Sequence, residues 1–249
     1  MHGIRLSASM WAPHAARLIP RFRITACDLP GHGALRGRPF TLDGAIAQVD
    51  AAVAAAHTAC GRPPWIAGSS LGGYTTLAYC AAHPGRVAGA LVNGATADTR
   101  ARVARLFRTA AHVVELLGEE RAERLNNRVF RRLLPPESHA AVMRGGLSMP
   151  AFGDCVADLT RRDLLATARR CTTATVFVNG RRDRLFRAEE KAFVRAVRDA
   201  GAPARLALVP GGHLLCLTDP DAFSRVLARG HQELVRLTSP PADPLRESP

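Results

Sequence analysis

The feature that most restricts the fold is the stretch Gly68-Ser69-Ser70-Leu71-Gly72, which lies between two segments of different periodicity. An apolar, strand-like run over 65–68 precedes it, and apolar residues at helical spacing follow it: Tyr74, Leu77, Ala78 and Ala81. Glycines two residues before and two residues after Ser70 allow a sharp turn of the chain. The stretch therefore predicts a strand–turn–helix junction that exposes the Ser70 hydroxyl beside the free N–H groups of a helix N-terminus.

Strand-like and helix-like segments alternate along most of the 249 residues. The predicted strands are 22–27, 65–68, 87–92, 174–178 and 204–209, and the predicted helices are 43–58, 71–83, 188–200 and 219–237. This alternation predicts an α/β fold with a doubly wound, mostly parallel sheet. For residues 98–170 the pattern instead predicts three or four amphipathic helices. We therefore predict a core formed by 1–97 and 171–237, a helical cap at 98–170, and a disordered, proline-rich tail at 238–249.

The formal net charge of +13 comes almost entirely from arginine, since Lys191 is the only lysine. The arginines are scattered singly or in pairs, without an aromatic-interleaved RNA motif or a basic helix. We therefore expect no nucleic-acid partner and favour attraction for anionic substrates or for an acidic protein.

The six cysteines are also scattered, without the spacing of metal ligands, which predicts reduced thiols, no metal site and a cytoplasmic location. No apolar run approaches the roughly 18 residues of a membrane helix, and the first residues lack the apolar core of a signal peptide. We expect no association with membranes.

Two further polar side chains follow predicted strands. Asp183 comes shortly after the strand at 174–178, and His213 comes after the strand at 204–209. The carboxyl ends of parallel strands meet at one edge of a sheet, where such groups gather. A nucleophilic serine needs a base, and the base needs a group that orients it. Ser70, Asp183 and His213 thus fit nucleophilic catalysis, and their order along the chain is that of enzymes with a serine at such a turn.

Five short motifs are spread along the chain. They are His2-Gly3, Asp28-Leu29-Pro30-Gly31-His32-Gly33, Gly68-Ser69-Ser70-Leu71-Gly72, Gly180-Arg181-Arg182-Asp183 and Gly212-His213. Together they resemble the α/β-hydrolase superfamily, in particular small capped serine esterases such as the pimeloyl-carrier-protein methyl esterase group. The resemblance implies that Ser70 is the nucleophile, His213 the base and Asp183 the acid. It also implies an oxyanion hole formed by the backbone N–H groups of Leu71 and Ile4, and no cofactor.

The implied reaction is hydrolysis of a small-molecule carboxylic ester or acyl thioester through an acyl-enzyme, with anionic and carrier-bound substrates included. Two other functions stay open: hydrolysis of a carbon–carbon bond with the same residues, and a catalytically dead binding protein or sensor. Asp98, which follows the strand at 87–92, is an alternative acid.

Substrate contacts are expected near the cap. The candidate substrate-binding residues are Trp11, Phe107, Phe130, Met149 and Phe152, although most apolar cap residues at helical spacing are expected to pack in the core. The cap arginines either bind a carboxylate or an acyl-carrier protein, or simply form a solvated helix face.

The first residues depart from the superfamily pattern. Its members carry strands before the His-Gly pair, whereas this sequence begins at Met1-His2-Gly3. Without the last of those strands, the strands at 22–27 and 65–68 lose a shared neighbour. We expect the reading frame to begin upstream; the alternative is a truncated protein that is unstable or inactive.

Overall fold

The computed structural model describes residues 1–19, 21–100 and 102–239. Its centre is a parallel sheet of four strands in the order β1-β2-β3-β4. The strands are β1 (Trp65–Ser69), β2 (Gly89–Asn93), β3 (Thr175–Gly180) and β4 (Ala204–Val209). Four predicted strands are confirmed within two or three residues, and so is the α/β class.

Helices connect the strands and cover the sheet. They are α1 (Ala12–Leu18), α2 (Leu42–Cys60), α3 (Leu71–Ala82), α4 (Arg102–Leu117), α5 (Glu119–Leu133), α6 (Pro136–Gly145), α7 (Ala151–Leu159), α8 (Leu164–Ala168), α9 (Glu190–Asp199), α10 (Leu215–Thr218) and α11 (Pro220–Thr238). None of the helices in the described part of the chain is long and apolar enough to cross a membrane.

The sheet is buried on both faces, as a parallel sheet requires. Every residue of β2 and β3 is buried. On one face, Val92 and Phe177 pack in a cluster with Leu77 of α3 and Phe193 of α9. On the other face, Leu91 and Val176 pack against Leu234 of α11. Packing against these helices holds the four parallel strands in place, with their carboxyl ends at the same edge of the sheet.

The predicted strand at 22–27 does not form, and residues 22–27 have no regular secondary structure. A strand needs a neighbour within hydrogen-bonding distance. Residues 22–26 instead line a cavity of about 570 Å³, with Trp65, Ile66 and Ala67 of β1 on another wall. Met1 forms two hydrogen bonds with the edge of β1. Its α-ammonium group donates to the Ala67 carbonyl (2.6 Å), and its carbonyl accepts from the Ser69 N–H (3.2 Å).

Helices α4 to α8 occupy the segment 98–170, one more than the three or four predicted. Arg162 connects the end of this segment to the core, because its guanidinium bonds Asp43 of α2 (2.9 Å) and Asp158 of α7 (3.3 Å). The division of the chain into core and cap stays a prediction. In the predicted tail 238–249, Thr238 belongs to α11, and 240–249 lie outside the described residues.

Candidate active site

Ser70 lies at the sharp turn between β1 and α3, with φ 55° and ψ −116°. Residues other than glycine rarely adopt such a backbone, and those that do cluster at functional sites. The flanking glycines make room for the turn. A Cβ atom at Gly68 would collide with the Gly72 carbonyl, and one at Gly72 would collide with the carbonyl of Met1. The predicted strand–turn–helix junction is therefore present.

His213 stands between Ser70 and Asp183. Its Nε2 atom is 3.0 Å from Ser70 Oγ, and its Nδ1 atom is 2.7 Å from Asp183 Oδ2. Asp183 follows β3 and His213 follows β4, so the two strand ends bring together residues 30 positions apart. The hydroxyl, imidazole and carboxylate thus form one hydrogen-bonded row, the arrangement that activates a serine.

Asp183 is 4% exposed, and its remaining bonds hold it ionised. The backbone N–H of Phe186 donates to Oδ1 at 3.0 Å. Burial raises the pKa of the Asp183 carboxyl, but the hydrogen bond from His213 and those from Phe186 and Leu185 outweigh burial and lower the pKa overall. An ionised, oriented carboxylate keeps the proton of His213 on Nδ1, which leaves Nε2 free to accept one.

The Asp98 carboxylate bonds Arg100 and does not contact His213. It accepts from the Arg100 guanidinium (3.1 Å) and from the Arg100 backbone N–H (2.9 Å), and Arg100 also pairs with Asp163. Burial raises the pKa of Asp98, and these bonds with Arg100 lower it further than burial raises it. The geometry favours Asp183 over this alternative acid.

The Ser69 side chain faces away from this row. Its Oγ accepts from the Asn93 amide (2.8 Å) and lies 3.4 Å from the Cys216 Sγ, in a fully buried setting. The two adjacent serines therefore differ in surroundings, and of these two only Ser70 has an imidazole partner among the described residues.

The two expected oxyanion donors lie beside Ser70, since Ile4 and Leu71 line the same cavity. Neither backbone N–H has a hydrogen-bond partner among the described residues. For Leu71 the reason is its place as the first residue of α3. Both N–H groups are therefore available to an external acceptor.

Two buried histidines hold the loop that carries Ile4. Nδ1 of His2 donates to the Gly3 carbonyl (2.9 Å), so its Nε2 accepts from the Leu29 N–H (3.0 Å). Nδ1 of His32 likewise donates to the Pro30 carbonyl (2.8 Å), and its Nε2 accepts from the Arg5 N–H (3.2 Å). Burial lowers the pKa of both imidazoles, which are therefore neutral and serve as backbone partners.

A cavity of about 30 Å³ opens beside Ser70. Its lining residues are Ile4, Ser70, Leu71, Tyr74, Thr99, Val103, Phe107, Val156, Leu159, Thr160 and Phe186. This volume holds one or two water molecules, whereas pockets for organic ligands measure about 300–1,000 Å³. An acyl chain therefore enters only if side chains of α4 and α7 move.

The candidate substrate-binding residues divide into two groups. Phe107 lines the cavity, and Phe152 packs against Phe107 with ring centroids 5.8 Å apart. Trp11, Phe130 and Met149 do not line it, and pack instead in a separate apolar cluster with Phe223. The structure thus gives these three residues a packing role, and a contact with substrate stays a prediction for them.

Phe186 is a site residue that the sequence reasoning missed. Its ring stacks on the His213 imidazole, with centroids 3.9 Å apart and planes at 21°. The same residue donates its N–H to Asp183. The available signal was the apolar pair Leu185-Phe186 in an otherwise arginine-rich loop, which indicates a buried loop position.

The chain is similar to known hydrolases over most of its length. A model of the alpha/beta hydrolase family matches residues 1–226. The chain is 29% identical over 257 residues to the pimeloyl-[acyl-carrier protein] methyl ester esterase of Xanthomonas axonopodis pv. citri (strain 306), with 92% of each chain covered.

Two solved structures have a similar fold. One is a thermophilic esterase from Thermogutta terrifontis, with a TM-score of 0.71, 19% identity, and 94% of this chain and 88% of that chain covered. The other comes from work on carboxylesterases of the thaumarchaeon Nitrososphaera gargenis. Its TM-score is 0.75 and its identity 16%, with 95% of this chain and 89% of that chain covered. Because the family model spans nearly the whole described sequence, the chain belongs to the alpha/beta hydrolase family.

Proposed function

We propose that this protein is a serine hydrolase that cleaves carboxylic esters or thioesters through an acyl-enzyme, with Ser70 as nucleophile, His213 as base and Asp183 as orienting acid. The observation that carries the proposal is the continuous hydrogen-bonded row from Asp183 through His213 to Ser70, with distances of 2.7 and 3.0 Å. The similarity to esterases supports the same reaction class.

In the first half of the proposed reaction, Ser70 Oγ attacks the carbonyl carbon and its proton passes to His213 Nε2. The carbonyl oxygen becomes an oxyanion that accepts hydrogen bonds from the N–H groups of Leu71 and Ile4. Each such donor contributes about 3 kcal/mol to stabilising the transition state. The intermediate then expels the alcohol or thiol, which takes the proton from His213, and the acyl group stays on Ser70.

In the second half, His213 takes a proton from water and the resulting hydroxide attacks the acyl carbon. The same two N–H groups stabilise the second oxyanion. Its collapse breaks the bond to Ser70 Oγ, which recovers the proton from His213, and the free acid leaves. No metal or organic cofactor is required at any step.

The carrier-bound methyl ester named for the Xanthomonas relative is a natural first candidate among substrates. The exposed face of α5 carries arginines suited to an acidic carrier surface, namely Arg121, Arg124, Arg128, Arg131 and Arg132. Attraction of this kind accelerates encounter and weakens with ionic strength. A free small-molecule ester is the alternative substrate within the same proposal.

The test is covalent labelling with a fluorophosphonate, read by intact mass, followed by hydrolysis of 4-nitrophenyl esters of two to eight carbons. Ser70→Ala removes the proposed nucleophile, and Ser69→Ala is its matched control because the neighbouring hydroxyl is buried and bonded elsewhere. We expect labelling and turnover in the wild type and in Ser69→Ala, and neither in Ser70→Ala. A folded wild type that neither labels nor hydrolyses any ester would favour the binding-protein alternative.

A further inference from the structure

Arg5 has a backbone conformation that its side chain makes costly. Among the described residues other than glycine, only Ser70 and Arg5 have positive φ angles, 55° and 66° respectively. The Arg5 backbone groups do not need an arginine there, because its N–H bonds His32 and its carbonyl bonds the Ser148 N–H (2.9 Å), which any residue would supply. Glycine would do so without strain. The reason for arginine must therefore lie in its side chain.

The Arg5 guanidinium is a partly buried cation without a counter-charge among the described residues. No carboxylate of the described residues lies within ion-pairing distance of it, and burial alone lowers its pKa. Within the described part of the chain, its side chain forms one hydrogen bond, from Nη1 to the Asn126 side-chain oxygen of α5, at 2.8 Å. The buried Nε–H has no partner among the described residues.

The edge of this guanidinium that carries Nε and Nη2 can bind an anion through two parallel hydrogen bonds. With Nη1 bonded to Asn126, the Nε–H and the Nη2–H on the opposite edge remain, and these two donors are parallel. Such a pair matches the two oxygens of one carboxylate. A second buried polar atom without a partner, Ser148 Oγ, belongs to the residue whose backbone bonds Arg5.

A row of aromatic rings connects the Arg5 guanidinium to the reacting groups. Ile4, the neighbour of Arg5 in sequence, lines the cavity beside Ser70. The Arg5 guanidinium carbon lies 5.1 Å from the ring centroid of Phe152. From there a row of rings leads to His213, formed by Phe152, Phe107 and Phe186, with successive centroids 5.8, 5.7 and 3.9 Å apart.

We propose that Arg5, held by Asn126, binds a free carboxylate of the substrate, which favours the free small-molecule alternative over the carrier-bound ester: the enzyme acts on half-esters of dicarboxylic acids, with the ester at Ser70 and the carboxylate at Arg5. This inference rests on the proposed esterase function for its reaction. The aromatic row lies between the ester end and the carboxylate end of such a substrate, and the methylene chain packs along it once side chains of α4 and α7 move. The bound carboxylate supplies the counter-charge that the guanidinium lacks among the described residues.

The hydrolytic test compares monomethyl esters of succinic, glutaric, adipic and pimelic acids with methyl esters of the unbranched monocarboxylic acids of equal carbon number. The readout is the ratio of kcat/KM for half-ester over neutral ester. We expect a ratio of at least ten for the best chain length in the wild type, falling at least tenfold in Arg5→Gly. Glycine suits a φ of 66°, so this variant folds.

Two variants serve as controls. Arg5→Lys keeps the positive charge but loses the planar fork, and we expect an intermediate ratio. Arg195→Ala removes an exposed arginine of α9, and we expect the wild-type ratio. A wild-type ratio near one at all four chain lengths, or a ratio that survives Arg5→Gly, would overturn the inference.

Binding to a protein that cannot turn over separates this inference from the esterase proposal. The Ser70→Ala protein is titrated calorimetrically with succinate, glutarate, adipate and pimelate, and with their neutral diamides. We expect at least one dianion to bind tenfold more tightly than its diamide, and Arg5→Gly in the same background to abolish the difference. If no ester is hydrolysed but this binding is found, the esterase proposal fails and the carboxylate site stands. If esters are hydrolysed and no dianion is preferred, the carboxylate site fails alone.

Discussion

The substitution Asp183→Asn tests the proposed chemistry at one atom. Oδ1 of Asp183 accepts from the Phe186 N–H at 3.0 Å, so the side-chain oxygen of asparagine must occupy that position. Its NH₂ group then faces His213 Nδ1, where Oδ2 now lies at 2.7 Å. Because that NH₂ group only donates, Nδ1 must become the acceptor and the imidazole proton moves to Nε2.

This change of tautomer blocks the proposed first step. A protonated Nε2 cannot accept the proton of Ser70, from which it is 3.0 Å away. A wrong tautomer of this kind costs a factor of about 10⁴ in kcat, or about 5.4 kcal/mol of activation free energy. The measurement is kcat for a short 4-nitrophenyl ester near pH 7, with melting temperature as the test of folding.

Asp98→Asn is the matched control, because Asp98 bonds Arg100 and does not contact His213. We expect its kcat to stay within a factor of two of the wild type. If Asp183→Asn keeps more than a tenth of the wild-type kcat, or if Asp98→Asn is the variant that loses it, the assignment of the acid is refuted.

Asp183→Asn also gives a prediction about pH. The pKa of the Asp183 carboxyl is lowered in the folded protein, so its ionised form contributes stability above its unfolded pKa of about 3.9. That contribution is lost as the pH falls through the folded pKa. The difference in unfolding free energy between the wild type and Asp183→Asn, measured in urea, should therefore shrink from pH 6 toward pH 3. A difference independent of pH over that range would show that the carboxylate is not held ionised by its bonds.

Three further substitutions have expected outcomes. Gly68→Ala places a Cβ atom against the Gly72 carbonyl and should lower stability by about 3 kcal/mol in urea unfolding; an unchanged midpoint would contradict the tight turn. Phe107→Ala removes a ring from the small cavity and should raise kcat/KM for eight-carbon over two-carbon acyl esters by about tenfold, with no change expected if the acyl group binds elsewhere. Phe186→Ala removes the ring stacked on His213 and should lower kcat by about tenfold with a smaller effect on KM, whereas a change confined to KM would mean that the ring contacts substrate only.

Parts of the fold and of the site could be predicted because they follow from short-range rules. The turn at Ser70 needs glycines that appear in the sequence at fixed positions, and strand ends in a parallel sheet gather at one edge whatever their separation along the chain. Asp183 and His213 could thus be chosen from their places after strands. The strand expected at 22–27 failed for the opposite reason: its β propensity is local, but forming a strand depends on a neighbour that the described structure does not provide.

The contacts that determine substrate choice could not be predicted from the sequence, because they depend on which helix faces meet. Phe107 and Phe130 both lie on amphipathic helices of the segment 98–170, yet only Phe107 reaches the cavity, and Phe130 packs in a separate cluster. Arg5 is one of 33 arginines in a chain whose net charge favours anionic partners without indicating which arginine binds them. It becomes informative only when its positive φ, its partial burial and the lack of a carboxylate partner in the described part of the chain are seen together. A strained backbone and a partly buried charge both oppose folding, so we infer from their coincidence at Arg5 a ligand that only the folded site binds.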